Sequence, residues 1–342
     1  MASQALKDRV FRVAGRVLQA SPWTRRYFSH RPNIIFYHGV WERGTPRRDL
    51  FTGVFADQFR DDLRTLQRSF NFVGIDSILG AATEQGERPR LHLTFDDGFD
   101  LIGGGAADVL EEFGASATVF VNTASVVGGH LMWQHRISAM RCLRGDAAFV
   151  GALNALQERT GLPGRATSAA EQIQLTRHWP ADRKDEYASA LWEMCRMPAL
   201  DAFLGEHRPY MGWDALRSWI ARGQTVGLHT HSHPFCSQLN DEQIDAELLA
   251  PVRMLDEQLG LAAVPFAYPF GDRLGADKEA EVVRTGAFTC LLGTGGFSVA
   301  GTAPAQLERV EAEPDIHAEI FGRPLVRWLR GQPPHRPSVA GY

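Results

Sequence analysis

The stretch at residues 90–98, RLHLTFDDG, gives the strongest indication of the fold. Its apolar part, residues 91–95, predicts a short buried strand, and Gly98 lets the chain turn sharply after two carboxylates. The apolar runs at residues 34–37 and 225–228 are also followed directly by a polar side chain, a histidine in each case. Strands that alternate with helices indicate a parallel sheet, and functional sites are built at the carboxyl ends of its strands. We therefore expect an α/β fold with its reactive side chains at one end.

The other periodic segments alternate in the same way. Helices are expected over residues 55–66, 106–113, 213–221, 241–259 and 279–285, and strands over residues 72–75, 117–121, 264–268 and 287–292. Residues 130–212 differ, because they are rich in Ala, Leu, Arg and Glu and have few strand signals. They predict a helical insertion, which either walls the substrate cleft or serves as a stabilising cap without substrate contact.

Composition narrows the class of protein. The 342 residues are 44% hydrophobic, enough for one large core, and the net charge of −4 argues against nucleic-acid binding. The charge is uneven, with +6 on residues 1–31 and +4 on residues 322–342, which leaves −14 for the residues between. The four cysteines form no C-x-x-C pair and predict neither a disulfide framework nor a zinc finger. We expect a basic N-terminal helix (1–32), a barrel (33–322) and a basic C-terminal tail (323–342).

The N-terminal region has helical periodicity, since Leu6, Val10, Val13 and Val17 recur on one face of residues 5–20. This basic amphipathic helix either contacts an anionic membrane surface or packs on the barrel with a solvated basic face. The chain has no run of 18 apolar residues, so no transmembrane helix is expected. Basic residues interrupt the only candidate signal segment, which predicts a cytoplasmic protein, peripheral at the inner membrane face if the helix binds lipid.

Three short blocks carry residues suited to chemistry. In residues 229–234, HTHSHP, the imidazoles of His229 and His233 are four apart and fall on one side of a turn. With one carboxylate they form the open two-histidine site that a catalytic metal needs. Asp96 and Asp97 are adjacent at a strand end and point to different sides, so one can bind a metal while the other stays free as a base. Residues 266–271, FAYPFG, either pack in the core or offer backbone N–H groups to an oxyanion.

These blocks, in their order along the chain, resemble the motifs of the polysaccharide deacetylase family, the NodB-type carbohydrate esterases of family four. Residues 94–98 match its T-F-D-D-G motif, residues 229–234 match its H-T-x-x-H-P motif, and residues 266–271 are similar to an F-A-Y-P-F-G variant of its third motif. The resemblance spans about residues 33–311, with residues 130–212 as an unusual insertion. It implies a distorted (β/α)7 barrel with a helical insertion.

The resemblance also implies roles for the matching residues. Asp97, His229 and His233 would hold a divalent metal, most often zinc, and Asp96 would be the general base that activates the attacking water. The metal and the backbone N–H of Phe270 would stabilise the oxyanion. The reaction implied is the hydrolysis of an amide-linked acyl group on a sugar.

Two departures from the family pattern leave roles open. The family's third motif often begins with an arginine that orients the catalytic aspartate, and Val264 stands at that position here. Arg309 is a candidate replacement from a later strand. The family's final Leu-x-His motif, whose histidine protonates the leaving amine, has no match, and His38 and His317 are rival candidates for this proton donor.

Three functions are consistent with these residues. The first is a metal-dependent N-deacylase acting on a glycan, a glycolipid such as a lipid-linked sugar, or another glycoconjugate such as a nucleotide-linked sugar. The second is a hydrolase of a non-sugar amide on the same barrel. The third is a catalytically weakened, metal-containing glycan-binding protein. Retention of Asp96 favours an enzyme, because a binding protein needs no free carboxylate beside the metal ligand Asp97.

Overall fold

The chain is organised around one parallel sheet. The structure is a computed structural model that describes residues 4–45, 47–80 and 88–332. In chain order the strands of this sheet and of a small separate ladder are β1 (Ile34–Tyr37), β2 (Val40–Trp41), β3 (Val54–Phe55), β4 (Asn71–Phe72), β5 (Arg90–Phe95), β6 (Ala117–Val121), β7 (Thr225–Leu228), β8 (Val264–Ala267), β9 (Phe288–Gly293), β10 (Leu307–Glu308) and β11 (Val310–Glu311). Strands β2 and β3 form the small ladder, and β4 pairs only with β5.

The ends of the sheet nearly meet. The strand order is β10-β9-β8-β7-β6-β5-β1-β11, and every pairing is parallel. Strand β10 pairs with β9 at one edge, β11 pairs with β1 at the other, and only Arg309 separates β10 from β11. Residues 307–311 therefore bridge both edges and close the barrel. Counted as one strand they make seven in the barrel, which confirms the predicted distorted (β/α)7 fold.

Helices connect the strands and cover the barrel. They are α1 (Gln4–Leu18), α2 (Pro22–Phe28), α3 (Arg47–Leu50), α4 (Ala56–Leu66), α5 (Ile75–Leu79), α6 (Ala106–Glu112), α7 (Thr123–Val127), α8 (Trp133–Arg144), α9 (Asp146–Thr160), α10 (Gln172–Thr176), α11 (Lys184–Met194), α12 (Leu200–His207), α13 (Trp213–Ala221), α14 (Asp241–Ile244), α15 (Ala250–Leu259), α16 (Ala276–Arg284) and α17 (Arg323–Leu329). Phe59 and Leu63 of α4, and Leu216 and Trp219 of α13, join the strands in one buried core. Strands buried on both faces explain why their sequences are continuous apolar runs.

Two predicted elements differ from the structure. The strand expected over residues 72–75 ends at Phe72, and Ile75 already begins α5 after the extended residue Gly74. The helix expected over residues 241–259 forms, but Asp245–Leu249 adopt π-helical turns inside it. Pro251 explains these turns, because it has no N–H and its ring excludes the carbonyl four residues earlier.

Helices α8 to α12 occupy most of residues 130–212 and share a second hydrophobic core. Buried Trp133, Phe149 and Trp192 belong to this core, together with Phe235 and Phe270 from loops of the barrel. The insertion therefore packs directly on the loops that follow β7 and β8. The domain boundaries proposed from the sequence stay predictions.

Both ends of the described chain pack together. Helix α1 lies against the π-helical turns His317–Gly322, which continue directly into α17. Leu325 of α17 is fully buried, so the first residues of the predicted C-terminal tail are structured, while its residues 333–342 lie outside the described ranges. Among the helices described, none combines the length and apolar character needed to cross a membrane.

Candidate active site

The three sequence blocks meet where neighbouring strands end. Asp96 follows β5, His229 follows β7, and the block around Phe270 follows β8. Backbone hydrogen bonds extend the ladder into these positions: the Asp96 N–H donates to the Tyr37 carbonyl at 2.9 Å, and the His229 N–H donates to the Val121 carbonyl at 2.8 Å. The carboxyl ends of barrel strands are where catalytic groups are collected.

Backbone strain is concentrated at the same place. Six non-glycine residues of the described chain have positive φ, and four of them are Asp97, Thr230, His233 and Phe270, with φ between 56° and 69°. Such conformations are costly for residues with a Cβ and persist where the surrounding structure imposes them, typically at functional sites. The strain thus marks these three loops independently of their side-chain chemistry.

Asp97, His229 and His233 form a compact buried cluster. One potential ligand atom from each lies within 4.8 Å of the others. The Asp97 Oδ1 is 3.3 Å from the His233 Nε2 and 3.7 Å from the His229 Nε2. The middle histidine of the motif, His231, is directed elsewhere, with its Nδ1 2.8 Å from the Thr123 hydroxyl.

This donor set suits a divalent metal. The His229 Nδ1 lies 2.7 Å from the Ala267 carbonyl, so it carries the proton and leaves the Nε2 lone pair directed at Asp97. Burial lowers the pKa of His229 to about 4, which keeps the imidazole neutral as a ligand must be. The buried Asp97 Oδ1 has no hydrogen-bond partner. An unsatisfied buried carboxylate oxygen facing two imidazoles is what a metal ion would satisfy.

Arg309 holds Asp96 beside this cluster. Its two terminal nitrogens reach the two carboxylate oxygens at 2.6 and 2.9 Å, a bidentate pair inside the barrel. The guanidinium is fully buried between the rings of Phe36 and Phe120, 4.8 and 5.2 Å from their centroids. Burial favours a raised pKa for Asp96, but the groups around it, Arg309 foremost, outweigh burial and hold the pKa below its usual value. Asp96 is therefore an oriented carboxylate.

His38 lies in the same cavity, at the end of β1. Its Nδ1 is 3.2 Å from the Glu313 Oε2, and its backbone N–H donates to the other carboxylate oxygen. Burial alone lowers the pKa of His38, yet the neighbouring carboxylates, Glu313 first and then Asp97 and Asp96, more than offset it and raise the pKa to about 10. The imidazole is thereby kept protonated. Glu311, with a pKa raised by burial to about 7, lies close enough to join His38 and Glu313 in a second cluster of potential ligands.

His317, the other candidate proton donor, lies elsewhere. It is part of the helical turns packed on α1, where the charges of Asp315, Arg12 and Arg16 act on it. It is not among the residues that line the cavity. The structure thus gives His317 no geometric basis for this role, because the chain after Glu313 leaves the barrel mouth and turns into the terminal helices.

Phe270 forms part of the cavity wall. Its ring contacts that of His233 edge-on, with centroids 4.7 Å apart, and stacks on Phe235 at 4.5 Å. Trp133 also packs against Phe270, with ring centroids 5.9 Å apart, and its indole N–H donates to the His233 carbonyl at 2.8 Å. Trp133 is therefore a buried support of the histidine loop and offers no exposed ring to a sugar.

Helix α8 contributes a histidine that sequence analysis missed. The His135 Nε2 lies 3.0 Å from the Asp97 Oδ2, and its Nδ1 lies 2.5 Å from the Tyr210 hydroxyl. The tautomer that satisfies both contacts donates from Nε2 to Asp97 and accepts from Tyr210. His135 therefore orients the carboxylate through Oδ2, whereas His229 and His233 face Oδ1. The only signal in the sequence is a histidine two residues after a tryptophan, near the start of the predicted helical insertion.

Glu247 is a second missed contributor. It anchors the histidine loop, because its carboxylate accepts the Ser232 N–H at 2.8 Å and also the Ser232 hydroxyl. Its carbonyl, displaced within the π-helical turns, accepts the His231 N–H at 2.9 Å. The turns at Pro251 thus supply an anchor for the loop, a long-range effect that no local pattern predicts.

These groups open into a cavity of about 470 Å³. Besides the residues of the three blocks, its lining includes side chains from α3, from the loop after it and from the insertion: Asp49, Thr52, Gln134, His135, Ser138, Arg141, Cys142, Asp146 and Gln172. Residues of α8 at helical spacing form one wall, so the insertion contacts the space in front of the candidate metal centre.

Comparison with known proteins agrees with this architecture. The profile of the polysaccharide deacetylase family matches residues 173–286, which contain the histidine block and the block around Phe270. The Streptococcus pyogenes deacetylase PplD in complex with acetate superimposes with a TM-score of 0.52 at 15% identity, covering 88% of this chain and 98% of that chain. IcaB from Ammonifex degensii gives 0.49 at 18% identity, covering 84% and 94%. No curated protein matches the chain.

The fold and the site define a NodB-type barrel with its polar cluster at the strand ends. The similarity to PplD shows the shared fold, and the matching profile covers two of the three blocks quoted from the sequence. The resemblance to the polysaccharide deacetylase family is thereby confirmed.

Proposed function

We propose that the protein is a metal-dependent N-deacylase that hydrolyses an amide-linked acyl group on a glycan or glycoconjugate. The observation that carries the proposal is the buried Asp97–His229–His233 cluster beside a carboxylate, Asp96, held by Arg309. A divalent ion bound there, most readily zinc given two imidazoles and one carboxylate, would polarise the acyl carbonyl and lower the pKa of water.

The residues of the chain divide the proton transfers. Asp96, ionised and oriented, takes the proton from the attacking water. His38, kept protonated by Glu313, donates a proton to the departing amine. The backbone N–H of Phe270, on the cavity wall, stabilises the oxyanion. Water and amide are thus converted into carboxylic acid and amine, and the retained base and acid support an enzyme over a weakened binding protein.

The charge of the cavity supports a neutral sugar at the site. Among the described residues that line the cavity, Arg141 is the only lysine or arginine, and Asp146 and Gln172 already engage its guanidinium. Carboxylates and amides such as Asp49 and Gln134 accept and donate hydrogen bonds to hydroxyls. A phosphate placed inside would meet several carboxylates, so a glycan or a lipid-linked sugar with its phosphate outside fits better than a nucleotide-linked sugar.

The test is zinc-dependent release of acetate or formate from N-acylated sugars that are free, lipid-linked or nucleotide-linked. Asp96→Asn should keep zinc and fold while losing about 10²–10⁴-fold in turnover. The control is Asp214→Asn, which changes a fully exposed carboxylate and should leave turnover unchanged.

Near-normal turnover in Asp96→Asn would remove Asp96 as the base. A non-sugar formamide and a cyclic imide are assayed beside the sugars, and turnover of these alone would favour the second hydrolase considered from the sequence. Silence of the zinc-loaded protein across all substrates would contradict the deacylase proposal.

A further inference from the structure

Helix α1 meets the barrel through a close backbone contact. Gly15 lies so near the carbonyl of His317, and Gly322 so near that of Phe11, that a Cβ at either glycine would overlap it. Ion pairs from Asp8 to Arg323 and from Arg12 to Asp315 flank this contact. The face of α1 that contains Gly15 therefore packs on the segment from Asp315 to Arg323 of the same chain.

The opposite face carries a stripe of exposed apolar side chains. The α1 stripe consists of Leu6, Val10, Val13 and Val17, which are 51, 57, 56 and 70% exposed. Eleven large apolar residues of the described structure are exposed, and six of them lie in the neighbouring helices α1, α2 and α17. These six are the four residues of the α1 stripe, Trp23 of α2 and Leu329 of α17. An exposed apolar patch of this kind marks an interaction surface.

Cations border the α1 stripe. At 100° per residue, Lys7 falls on one side of the stripe and Arg9 and Arg16 on the other, and all three are exposed. Their aliphatic stems can lie along an apolar surface while their charged ends reach polar headgroups. Residues 1–31 carry a net charge of +6, whereas the chain as a whole carries −4. The charge is therefore concentrated where the apolar side chains are exposed.

We propose that α1 docks the protein on an anionic lipid surface, with the α1 stripe in the acyl–headgroup boundary and Lys7, Arg9 and Arg16 among the headgroups. A narrow apolar stripe with cations on both sides matches a helix lying in the plane of the interface. An apolar partner protein would satisfy the stripe but not the flanking cations, so charge complementarity favours lipid. The inference is independent of the deacylase proposal, because none of these residues lines the cavity.

The experiment is flotation of the full chain with phosphatidylcholine vesicles that contain or lack phosphatidylglycerol. We expect binding at least tenfold stronger to the anionic vesicles, and a loss of at least tenfold in the triple variant Val10→Ser, Val13→Ser, Val17→Ser. The matched control is Val283→Ser with Val299→Ser, two exposed valines 40 and 52% accessible elsewhere on the surface. The control should bind like the unchanged protein.

Charge is tested separately with Lys7→Glu, Arg9→Glu, Arg16→Glu, which should abolish the preference for anionic vesicles. Thermal melting and turnover of a soluble substrate, unchanged in all variants, would show that fold and active site are intact. Equal flotation of the stripe variant and the unchanged protein would overturn the proposal. The proposal would also be overturned if the protein does not float with vesicles but self-associates as its concentration rises, and if the stripe variant loses this association. The partner of the α1 stripe would then be a second copy of the chain.

Discussion

At the scale of single residues, the site separates two adjacent carboxylates by their surroundings. Asp96 faces a buried guanidinium, whereas Asp97 faces imidazoles. Burial would raise the pKa of Asp97, but His135 and His233 hold it well below its usual value. Both groups stay ionised, and only Asp97 retains a buried oxygen without a hydrogen bond. Environment therefore assigns one carboxylate to the candidate metal and leaves the other as a base.

Removing the negative charge of Glu313 tests His38 as the proton donor. In Glu313→Gln, burial acts on His38 without the offsetting carboxylate, so its pKa falls from about 10. The imidazole then loses its proton at lower pH. We expect the basic limb of the pH profile of kcat/KM to move to lower pH, with a loss of about tenfold or more at pH 8.

The control for this shift is Thr52→Val. Thr52 donates a neutral hydrogen bond to the same Glu313 oxygen at 3.0 Å, so its loss keeps the charge and should move the basic limb much less. If Glu313→Gln leaves the limb where it is in the unchanged protein, His38 is not the acid that Glu313 maintains.

At the scale of secondary-structure elements, two segments complete the site. Residues 307–311 close the barrel and place Arg309 in its interior. Because side chains alternate along a strand, Glu311 falls on the same side as Arg309. Glu313 follows in the bend after β11, and both carboxylates reach His38. Helix α8 lines the cavity and supplies His135. The insertion therefore provides a cavity wall and also a side chain that contacts the candidate metal ligand Asp97.

The role of α8 predicts an effect on metal affinity. His135→Phe removes the hydrogen bond to Asp97 and leaves that buried carboxylate without its orienting donor. The new ring lies beside Phe99, among aromatic side chains that accommodate it. Partners of this kind are worth about 10–100-fold in metal affinity. We expect a loss of that size in competition with a chromophoric zinc chelator, and a smaller loss in Tyr210→Phe.

His207→Phe is the matched control for this prediction. His207 is another buried histidine of the insertion, but it packs on Phe203 and does not line the cavity. Zinc affinity should be unchanged in this variant. Equal affinity in His135→Phe and the unchanged protein would show that α8 does not support the metal ligand.

At the scale of the whole molecule, the candidate metal centre lies between two hydrophobic cores. One core fills the barrel, and the other joins the insertion to Phe235 and Phe270 in the loops of the site. Asp97 and His233 are buried where these cores meet. Occupancy of the site should therefore stabilise the barrel and the insertion together.

This coupling predicts that zinc raises the melting temperature. A ligand that binds only the native state stabilises it by about 2.7 kcal/mol at a free concentration 100 times its Kd. Calorimetry of the chelator-treated protein should show a rise of several degrees when zinc is restored. In Asp97→Asn the rise should disappear; a full rise in that variant would mean that zinc binds elsewhere.

The sequence alone predicts the features that depend on local pattern. Apolar runs define the strands, so β1, β6 and β7 begin and end where expected, and α13 does too. The paired aspartates and the two histidines four residues apart are visible because each group lies within one turn of chain. The expected strand at residues 72–75 and the regular helix at residues 241–259 were wrong in part, because a turn and a proline override periodicity.

Only the tertiary structure decides which distant side chains complete the site. Arg309 is 213 residues from Asp96, Glu313 is 275 residues from His38, and His135 is 38 residues from Asp97. No periodicity connects such pairs, since their contact depends on barrel closure and on how the insertion packs. The local motifs therefore indicate the chemistry. Long-range packing determines which side chains orient the reactive groups and set their protonation states.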